Sequence, residues 1–300
     1  MRIVRPATVN DAALVSSNVP ETDYAAWSAA TTYPLGAFVI KTATHRVYKS
    51  LQAGNLNHDP ATEPATPVWW QDWGATNRWK MFDDLVGVQT SNADSIAVAL
   101  TFAERIDSVI LLNVSAASVR VTMTDVTDGV VFDQTYNMVS DSGITDWYAY
   151  FFEPIVRKSD LSVTGLPPYI NARLDITLTD PGATVLCGEC IAGLSRYLGG
   201  AQYGAKVGIQ DYSVKTTDAF GNYTILERAF ARRGSFSVWM DAGIISETQT
   251  LLASFRATPT VYIGSDDIDA TIIYGFYKDF DITIAYPDVS LCNLEIEGLT

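Results

Sequence analysis

After residue 80 the chain alternates apolar and polar residues with a period of two, which is the pattern of half-buried β-strands. The clearest examples are residues 95–102, 107–114 and 118–124. The Asp-Gly pair at 128–129 is typical of a tight hairpin turn and leads into a further strand at 130–136. Short strands separated by Gly, Asp and Pro predict a β-sandwich of the jelly-roll type, whereas the strand–helix alternation of nucleotide-binding folds is missing.

The rest of the chain continues this pattern, with one exception. Further strands are predicted at 147–152, 172–178, 184–193, 208–216, 223–230, 234–241, 260–265, 270–276 and 279–285, with a turn at 218–221. A single helix is predicted at 246–255, where Leu251, Leu252 and Phe255 share one face. A Gly-rich joint at 198–204 separates the sandwich from a C-terminal β-rich region. We therefore expect an all-β protein.

The N-terminal part differs from the rest in composition. Residues 1–20 have the character of an extended arm with a few apolar anchors, and residues 21–80 are rich in tryptophan and interrupted by prolines. The tryptophans of this segment are Trp27, Trp69, Trp70, Trp73 and Trp79. Large aromatic side chains give so small a segment a core. The predicted domains are thus an arm (1–20), a small Trp-rich β module (21–80), a sandwich (81–197) and a C-terminal domain (198–300).

Charge and hydropathy exclude two classes of partner. The formal net charge is −14 and the pI is about 4.4, so the chain repels phosphate backbones and no nucleic-acid partner is expected. Residues 1–15 lack the apolar core of a signal peptide, and no apolar run is long enough for a membrane span. These features predict a chain that folds in a cytoplasm and does not insert into a membrane.

The cysteines and histidines give little sign of chemistry. Cys187 and Cys190 have CxxC spacing, yet only Cys292 and two histidines remain to complete a metal site, so we interpret the pair as core residues and expect no metal or cofactor. His45 and His58 have no evident catalytic partners. The many carboxylates leave a glycosidase pair open, although no spacing singles one out. We expect a protein that is not an enzyme.

An acidic segment lies near the C-terminus, at residues 266–269. The Asp-Asp-x-Asp sequence at 266–269 offers oxygen ligands for a hard cation, but it lacks the glycine and the terminal glutamate of a calcium loop. A solvated turn between two strands explains the same residues. We interpret it in that way.

The order of residue types between 26 and 70 resembles the chitin-binding type 3 module (carbohydrate-binding family 5/12). The matching positions are Ala-Trp at 26–27, the Tyr-x-x-Gly-x-x-Val strand at 33–39, Tyr48, Pro60, Pro67 and the Trp pair at 69–70. The resemblance implies a small β module that stacks sugars on aromatic rings. The chain departs from the family at 52–57, where further aromatics of the sugar-binding surface are replaced by Gln, Ala, Gly, Asn and Leu.

The continuation of this motif resembles a narrower group. The run WWQDWGATNRWKMFD at 69–83 looks like the end of such modules in tail and baseplate proteins of tailed bacteriophages, where a β-sandwich follows. Residues 188–204 and 291–299 are similar to phage sequences as well, and the sandwich is comparable with galactose-binding jelly rolls. The resemblance implies a structural component of a virion tail, at the tail tip, baseplate or hub. Its expected partners are other tail proteins and copies of itself with three- or six-fold symmetry, with residues 201–300 as the assembly face.

Tyr48, Trp69, Trp70 and Trp73 are the candidate carbohydrate-binding residues that this resemblance implies, and a host cell-surface glycan is the ligand. Because Trp69 and Trp70 are adjacent, only one of them is expected to point into the core, and Trp27 and Tyr33 are expected to be core residues. Two alternatives to a structural tail protein stay open: a dedicated receptor-binding lectin of the tail, and a tail-borne polysaccharide depolymerase.

Overall fold

The computed structural model of the chain describes residues 1–63, 66–140, 146–152, 156–217, 220–266, 268–284 and 286–300. They form an all-β fold in which antiparallel strands predominate, as the sequence predicts. No helix formed by these residues is long and apolar enough to cross a membrane.

Two strands belong to the N-terminal segment and five to the small Trp-rich module. These are β1 (Arg2–Pro6), β2 (Leu14–Ser17), β3 (Thr32–Tyr33), β4 (Phe38–Lys41), β5 (Arg46–Ser50), β6 (Asn55–Leu56) and β7 (Trp70–Ala75). Strands β4, β5 and β7 form a three-stranded antiparallel sheet, and β3 pairs with β6 beside it. Tyr33, Val39, Tyr48 and Trp70 form the core of this module.

Eight strands and one helix follow in the sandwich region. They are β8 (Thr90–Thr101), β9 (Ser108–Ser115), β10 (Ser118–Asp125), β11 (Gly129–Asn137), β12 (Val139–Ser140), α1 (Trp147–Phe152), β13 (Val156–Arg157), β14 (Leu161–Thr164) and β15 (Arg173–Tyr197). The first half of β15 pairs with β10 and β8, and its second half pairs with β9. One long strand therefore belongs to both layers of the sandwich, whose apolar side chains share a single core.

The described residues of the C-terminal region form eight strands and one α-helix. They are β16 (Gly200–Ala201), β17 (Lys206–Asp211), β18 (Val214–Thr217), β19 (Tyr223–Leu226), β20 (Phe230–Asp241), α2 (Ile245–Ser254), β21 (Thr260–Ile263), β22 (Ile272–Thr283) and β23 (Val289–Gly298). The strand order β21-β22-β23-β20 buries one face against α2, with Phe236, Val238 and Leu252 among the residues of a second core.

Strand β1 joins the sandwich to the C-terminal region. It pairs with the end of β15 on one side and with β21 on the other, so that one continuous sheet runs through both regions. The sequence had indicated only an extended arm for residues 1–20. At Gly193, opposite Pro6, the strands approach so closely that a Cβ atom would lie 2.2 Å from the carbonyl oxygen of Arg5.

Most predicted elements are present, and one is wrong. The hairpin at 128–129 and the helix at 246–255 are confirmed by β10–β11 and α2. The segment 147–152 was predicted to be a strand, but it forms α1. The i,i+4 spacing of Trp147 and Phe151, whose ring centres are 6.2 Å apart, suits a helix.

The boundaries of the predicted strands differ from the observed ones more often than the types of the elements do. The strands predicted at 172–178 and 184–193 form a single strand, β15, and the two predicted near the C-terminus form β22. Conversely, the stretch predicted at 208–216 is divided between β17 and β18. The predicted turn at 218–221 falls partly on residues 218–219, which lie outside the described part of the chain.

A buried carboxylate lies where the sandwich meets the C-terminal region. Glu189 on β15 is 3% exposed, and its Oε2 has no hydrogen-bond partner among the described residues. Burial raises the pKa of Glu189 to about 9, and the negative charges of Asp84 and Asp83 add to the shift. The hydroxyl of Tyr274 donates to the carboxylate of Asp84 beside it. Glu189 is thus held neutral at neutral pH.

We expect Glu189→Gln to stabilise the protein, and by more as the pH rises. The folded state keeps the Glu189 proton up to about pH 9, whereas the unfolded chain releases it near its ordinary pKa of 4.5. The native protein therefore loses stability between these values, by up to about 1.4 kcal/mol per pH unit, and the glutamine variant escapes this loss. Chemical denaturation of both proteins at acidic and at mildly alkaline pH measures the difference, with the exposed Glu104→Gln as the control. A stability difference independent of pH would contradict the assignment.

Candidate functional site

Two of the four predicted sugar-binding residues, Tyr48 and Trp70, lie in the core of the small module. Trp70 is 1% exposed, packs edge-on against Tyr33 with 5.2 Å between ring centres, and donates its indole N–H to the carbonyl oxygen of His58 at 2.8 Å. Tyr48 is buried as well, with its hydroxyl 3.1 Å from Thr44 Oγ1. Neither ring has a face free to stack on a sugar, so both side chains are corrected from candidate platform residues to core residues.

Trp69 is less deeply buried than Trp70. It precedes β7 and is half-buried, so the expectation that only one residue of the adjacent pair is buried in the core is met. The imidazole of His58 stacks on its indole with 3.9 Å between ring centres and an interplanar angle of 10°. One face of Trp69 is therefore covered by protein. Trp27, which was expected to be a core residue, is partly buried and packs against the core of the module.

Trp73 lies on the opposite face of the three-stranded sheet and is 55% exposed. Two residues separate it from Trp70, and its contacts with Phe38 and Lys49, which pair across β4 and β5, place its side chain on the outer face. Trp73 packs edge-on against Phe38, with ring centres 5.4 Å apart, and Phe38 stacks on Tyr24 at 5.0 Å. The Lys49 ammonium lies 4.9 Å from the centre of the Trp73 ring. We name Tyr24, Phe38 and Trp73 the aromatic ridge.

Sequence reasoning missed Tyr24 and Phe38. Phe38 stands in the apolar run Phe38-Val39-Ile40, in which alternation alone does not tell which side chain faces outward. Its pairing with Lys49 across β4 and β5 fixes it on the outer face, with Val39 opposite Tyr48 in the core. Tyr24 lies outside any strand, so periodicity gives no signal for it.

An open groove of about 450 Å³ runs beside the aromatic ridge, between the small module and the segment that leads into the sandwich. Tyr24 and Trp73 form its aromatic side, and Asp23, Lys80 and Asp83 contribute charged groups. The carboxylate of Asp23 accepts the backbone N–H of Asn77 at 3.1 Å from each oxygen. Burial raises the pKa of Asp83 to about 6. An aromatic wall beside charged and polar groups is the usual composition of a small-ligand site.

The histidines and cysteines have structural roles. His45 bridges Asp11 and Glu21 at 2.9 and 3.0 Å and stacks on Trp79, so it fastens the N-terminal segment to the module. Cys187 and Cys190 are buried in the sandwich core, where burial raises the pKa of both thiols. Among the described residues, no three His, Cys, Asp or Glu side chains gather as a metal-binding group. Of the acidic segment at 266–269, residue 267 lies outside the described part of the chain.

A second surface of interest lies in the C-terminal region, where the described residues of 206–230 comprise β17, beside β20 in the sheet, and the separate pair β18–β19; we name them the arm. Every residue of β17, β18 and β19 is exposed. The large apolar side chains on the arm are Val207, Ile209, Tyr212, Val214, Phe220, Tyr223, Ile225, Leu226 and Phe230. A concentration of exposed apolar groups of this size is typical of a surface that another protein covers.

Because Trp70 and Trp73 lie on opposite faces of the small module, their substitutions should differ greatly in their effect on the stability of the protein. We expect Trp70→Ala to lower the free energy of unfolding by about 3–5 kcal/mol, because it leaves a cavity in the module core. Trp73→Ala should change it by less than about 1 kcal/mol, because the ring is largely exposed. Chemical denaturation followed by tryptophan fluorescence measures both. Similar losses of stability in the two variants would contradict the placement of Trp73.

Comparison of the chain with protein-family models, with curated proteins and with solved structures finds no match. The function must therefore be inferred from the residues themselves. Two features carry that inference: the groove beside the aromatic ridge, and the exposed arm.

Proposed function

We propose that this chain is a non-enzymatic structural component of a tailed-phage virion tail, assembled in the host cytoplasm, in the tail-tip, baseplate or hub region. The observation that carries the proposal is the arm, which keeps apolar side chains such as Ile209, Tyr223 and Ile225 in solvent. A subunit of a larger assembly has such a surface because a neighbouring chain covers it. The resemblance of residues 69–83 to tail and baseplate modules supports the same role.

The sandwich and the C-terminal region are firmly connected, as is suitable for a subunit of a larger assembly. Strand β1 is hydrogen-bonded on both sides, and Arg232 at the root of the arm forms an ion pair with the buried Asp160 of the sandwich, with 2.7 Å between Nη2 and Oδ2. A charge pair with one buried partner is costly to break. These contacts join the C-terminal sheet, at whose side the arm lies, to the sandwich, as an assembly subunit requires.

The structural role predicts that the chain is a stoichiometric part of purified virions of the phage that encodes it. Its copy number should be a multiple of three or six, because phage tails have that symmetry. Quantitative mass spectrometry of gradient-purified particles measures the copy number against a known tail protein. Absence of the chain from infectious particles would contradict the proposal.

A second candidate function, attachment to a host-surface glycan, is favoured by the groove beside the aromatic ridge. The exposed ring of Trp73 offers an apolar face for sugar C–H groups, and Asp23 offers oxygens that accept hydrogen bonds from hydroxyls. In this role the chain is a receptor-binding lectin as well as a tail component. Tyr48 and Trp70 take no part, because both are buried.

The glycan role predicts binding that depends on the aromatic ridge. Tyr24→Ala and Trp73→Ala should each weaken binding to chitin-like oligosaccharides about five- to tenfold, since each removes one stacking ring. Isothermal titration of the full chain measures the affinity, and Tyr203→Ala, an exposed aromatic far from the module in sequence, is the matched control. Equal affinity in all variants, or no binding by the native chain, would contradict the glycan role and leave the structural role intact.

The non-enzymatic character is testable in the same preparations. The native chain should leave host-envelope polysaccharides at their original length. Release of reducing ends that is abolished by one carboxylate substitution, such as Asp83→Asn in the groove, would identify a depolymerase instead.

A further inference from the structure

Two exposed aromatic side chains, Trp239 and Tyr286, lie beside one another on the C-terminal sheet. Trp239 stands on β20 between Val238 and Met240, which both belong to the core, so alternation directs its side chain to the outer face of the sheet. Tyr286 lies in the turn between β22 and β23, with its ring centre 6.1 Å from that of Trp239 and an interplanar angle of 24°. Rings at this distance are offset rather than fully overlapped. Since the two residues are 39% and 58% exposed, part of each ring remains in solvent.

Backbone hydrogen bonds fix the positions of both residues. Trp239 is paired on both sides, with Gly200 of β16 and with Leu291 of β23. In the turn, the backbone N–H of Tyr286 donates to the carbonyl oxygen of Val289 at 3.1 Å. An aromatic pair that is already formed in the free protein loses little conformational freedom when a ligand binds to it.

A row of polar side chains lies next to this pair on the same outer face. Asn293 of β23 stands opposite Ser237 of β20 on one side and opposite Asp281 of β22 on the other. The hydroxyl of Ser237 donates to Oδ1 of Asn293 at 2.7 Å, and Nδ2 of Asn293 donates to Oδ1 of Asp281 at 2.9 Å. These two hydrogen bonds fix the orientation of the Asn293 amide, because only its nitrogen can donate to a carboxylate.

The polar row keeps hydrogen-bonding capacity that the fold does not use. One N–H of Asn293 and the second oxygen of Asp281 are left over, and Asp281 is exposed and forms no ion pair with any described residue. Ser237 precedes Trp239 by two residues, so the polar row lies about 7 Å from the aromatic ring along the strand. A donor and an acceptor are thus held side by side next to an aromatic surface, within reach of one small ligand.

We propose that this surface, which we name the C-terminal platform and define as Ser237, Trp239, Asp281, Tyr286 and Asn293, binds an uncharged sugar. One face of the sugar ring lies on the aromatic pair through its C–H groups, and neighbouring hydroxyls hydrogen-bond to the amide and the carboxylate of the polar row. A purely apolar partner does not suit the surface, because it would bury the unused donor and acceptor without partners. A ligand with hydroxyls around an apolar ring face satisfies both parts of the platform.

The charges around the platform favour an uncharged sugar over an acidic one. Asp241 lies two residues beyond Trp239 on β20, Asp288 lies in the turn that holds Tyr286, and both are exposed. Together with Asp281 they place three carboxylates around the site, and no described Lys or Arg forms an ion pair with any of the three. A carboxylate or sulfate on the ligand would be repelled by them.

The platform lies in a different region of the chain from the aromatic ridge, and the proposal rests neither on the tail role nor on the groove of the small module. Its test therefore uses the full chain with the substitution Trp73→Ala throughout, so that the aromatic ridge is weakened in every sample. An array of immobilised oligosaccharides is the probe, with uncharged glucose, galactose, mannose and N-acetylglucosamine series beside sialylated and uronic-acid series. The Trp73→Ala chain should bind at least one uncharged series and no acidic one.

Isothermal titration with the oligosaccharide that binds best then tests the residues of the platform. Trp239→Ala and Tyr286→Ala, added to the Trp73→Ala chain, should each weaken binding about five- to tenfold, since each removes one ring. Asp281→Ala should weaken it about tenfold, because it removes a charged acceptor and leaves both rings in place. The matched controls are Tyr223→Ala, an exposed aromatic on the arm, and Asp279→Ala, an exposed carboxylate on the same strand as Asp281; neither should change the affinity.

Melting curves show whether each variant is folded, and Tyr286→Ala, at the more exposed of the two rings, tests the aromatic pair even if Trp239→Ala is unstable. A Trp73→Ala chain that binds no uncharged oligosaccharide would overturn the proposal. So would a preference for acidic sugars, or an affinity that Tyr286→Ala and Asp281→Ala leave unchanged. Absence of the chain from virions, or a failure of the small module to bind glycans, would contradict the roles proposed above and leave the platform standing.

Discussion

The double pairing of β1 is the constraint on which the rest of the structure depends. Five residues at the N-terminus fill the gap between β15 of the sandwich and β21 of the C-terminal region, so that a single sheet passes from one region to the other. Val4 on this strand is buried among Ile110, Ile191 and Val261, which come from both regions. Without β1, two edge strands would present unpaired N–H and C=O groups, and the apolar side chains between them would lose their cover.

The same junction also contains an electrostatically unfavourable group, a buried carboxyl beside two other carboxylates. Glu189 is buried at the point where β15 passes from the sandwich towards β1, next to Asp83 and Asp84, and its Oε2 has no hydrogen-bond partner in the described part of the chain. A carboxyl in such a place is held in its neutral form, and stability becomes dependent on pH. Asp279 on β22, directly opposite Glu295 on β23, is a second instance in which carboxylates are grouped rather than dispersed.

The small module divides its aromatic side chains by face. Tyr33, Tyr48 and Trp70 fill its core, while Phe38 and Trp73 stand on the other side of the same three strands. The core rings stabilise the module, and the outer rings shape a groove with Tyr24. Substitutions on one face therefore leave the other in place, so that the stability of the module and the proposed glycan binding can be tested separately.

Alternation along the chain was sufficient to determine the all-β class, the hairpin at 128–129 and the helix at 246–255, because these features depend on local periodicity and turn chemistry. The adjacency of Trp69 and Trp70 likewise indicated that only one of them lies in the core, but Trp70 and Trp73 were both candidate sugar-binding residues, and only the structure separated them. Only the tertiary structure decided the rest. Residues 2–6 became the central joining strand, since strand pairing between residues distant in sequence leaves no local pattern. The union of Tyr24, Phe38 and Trp73, the burial of Glu189 and the opposition of Asp279 to Glu295 were decided in the same way, by which strands lie side by side.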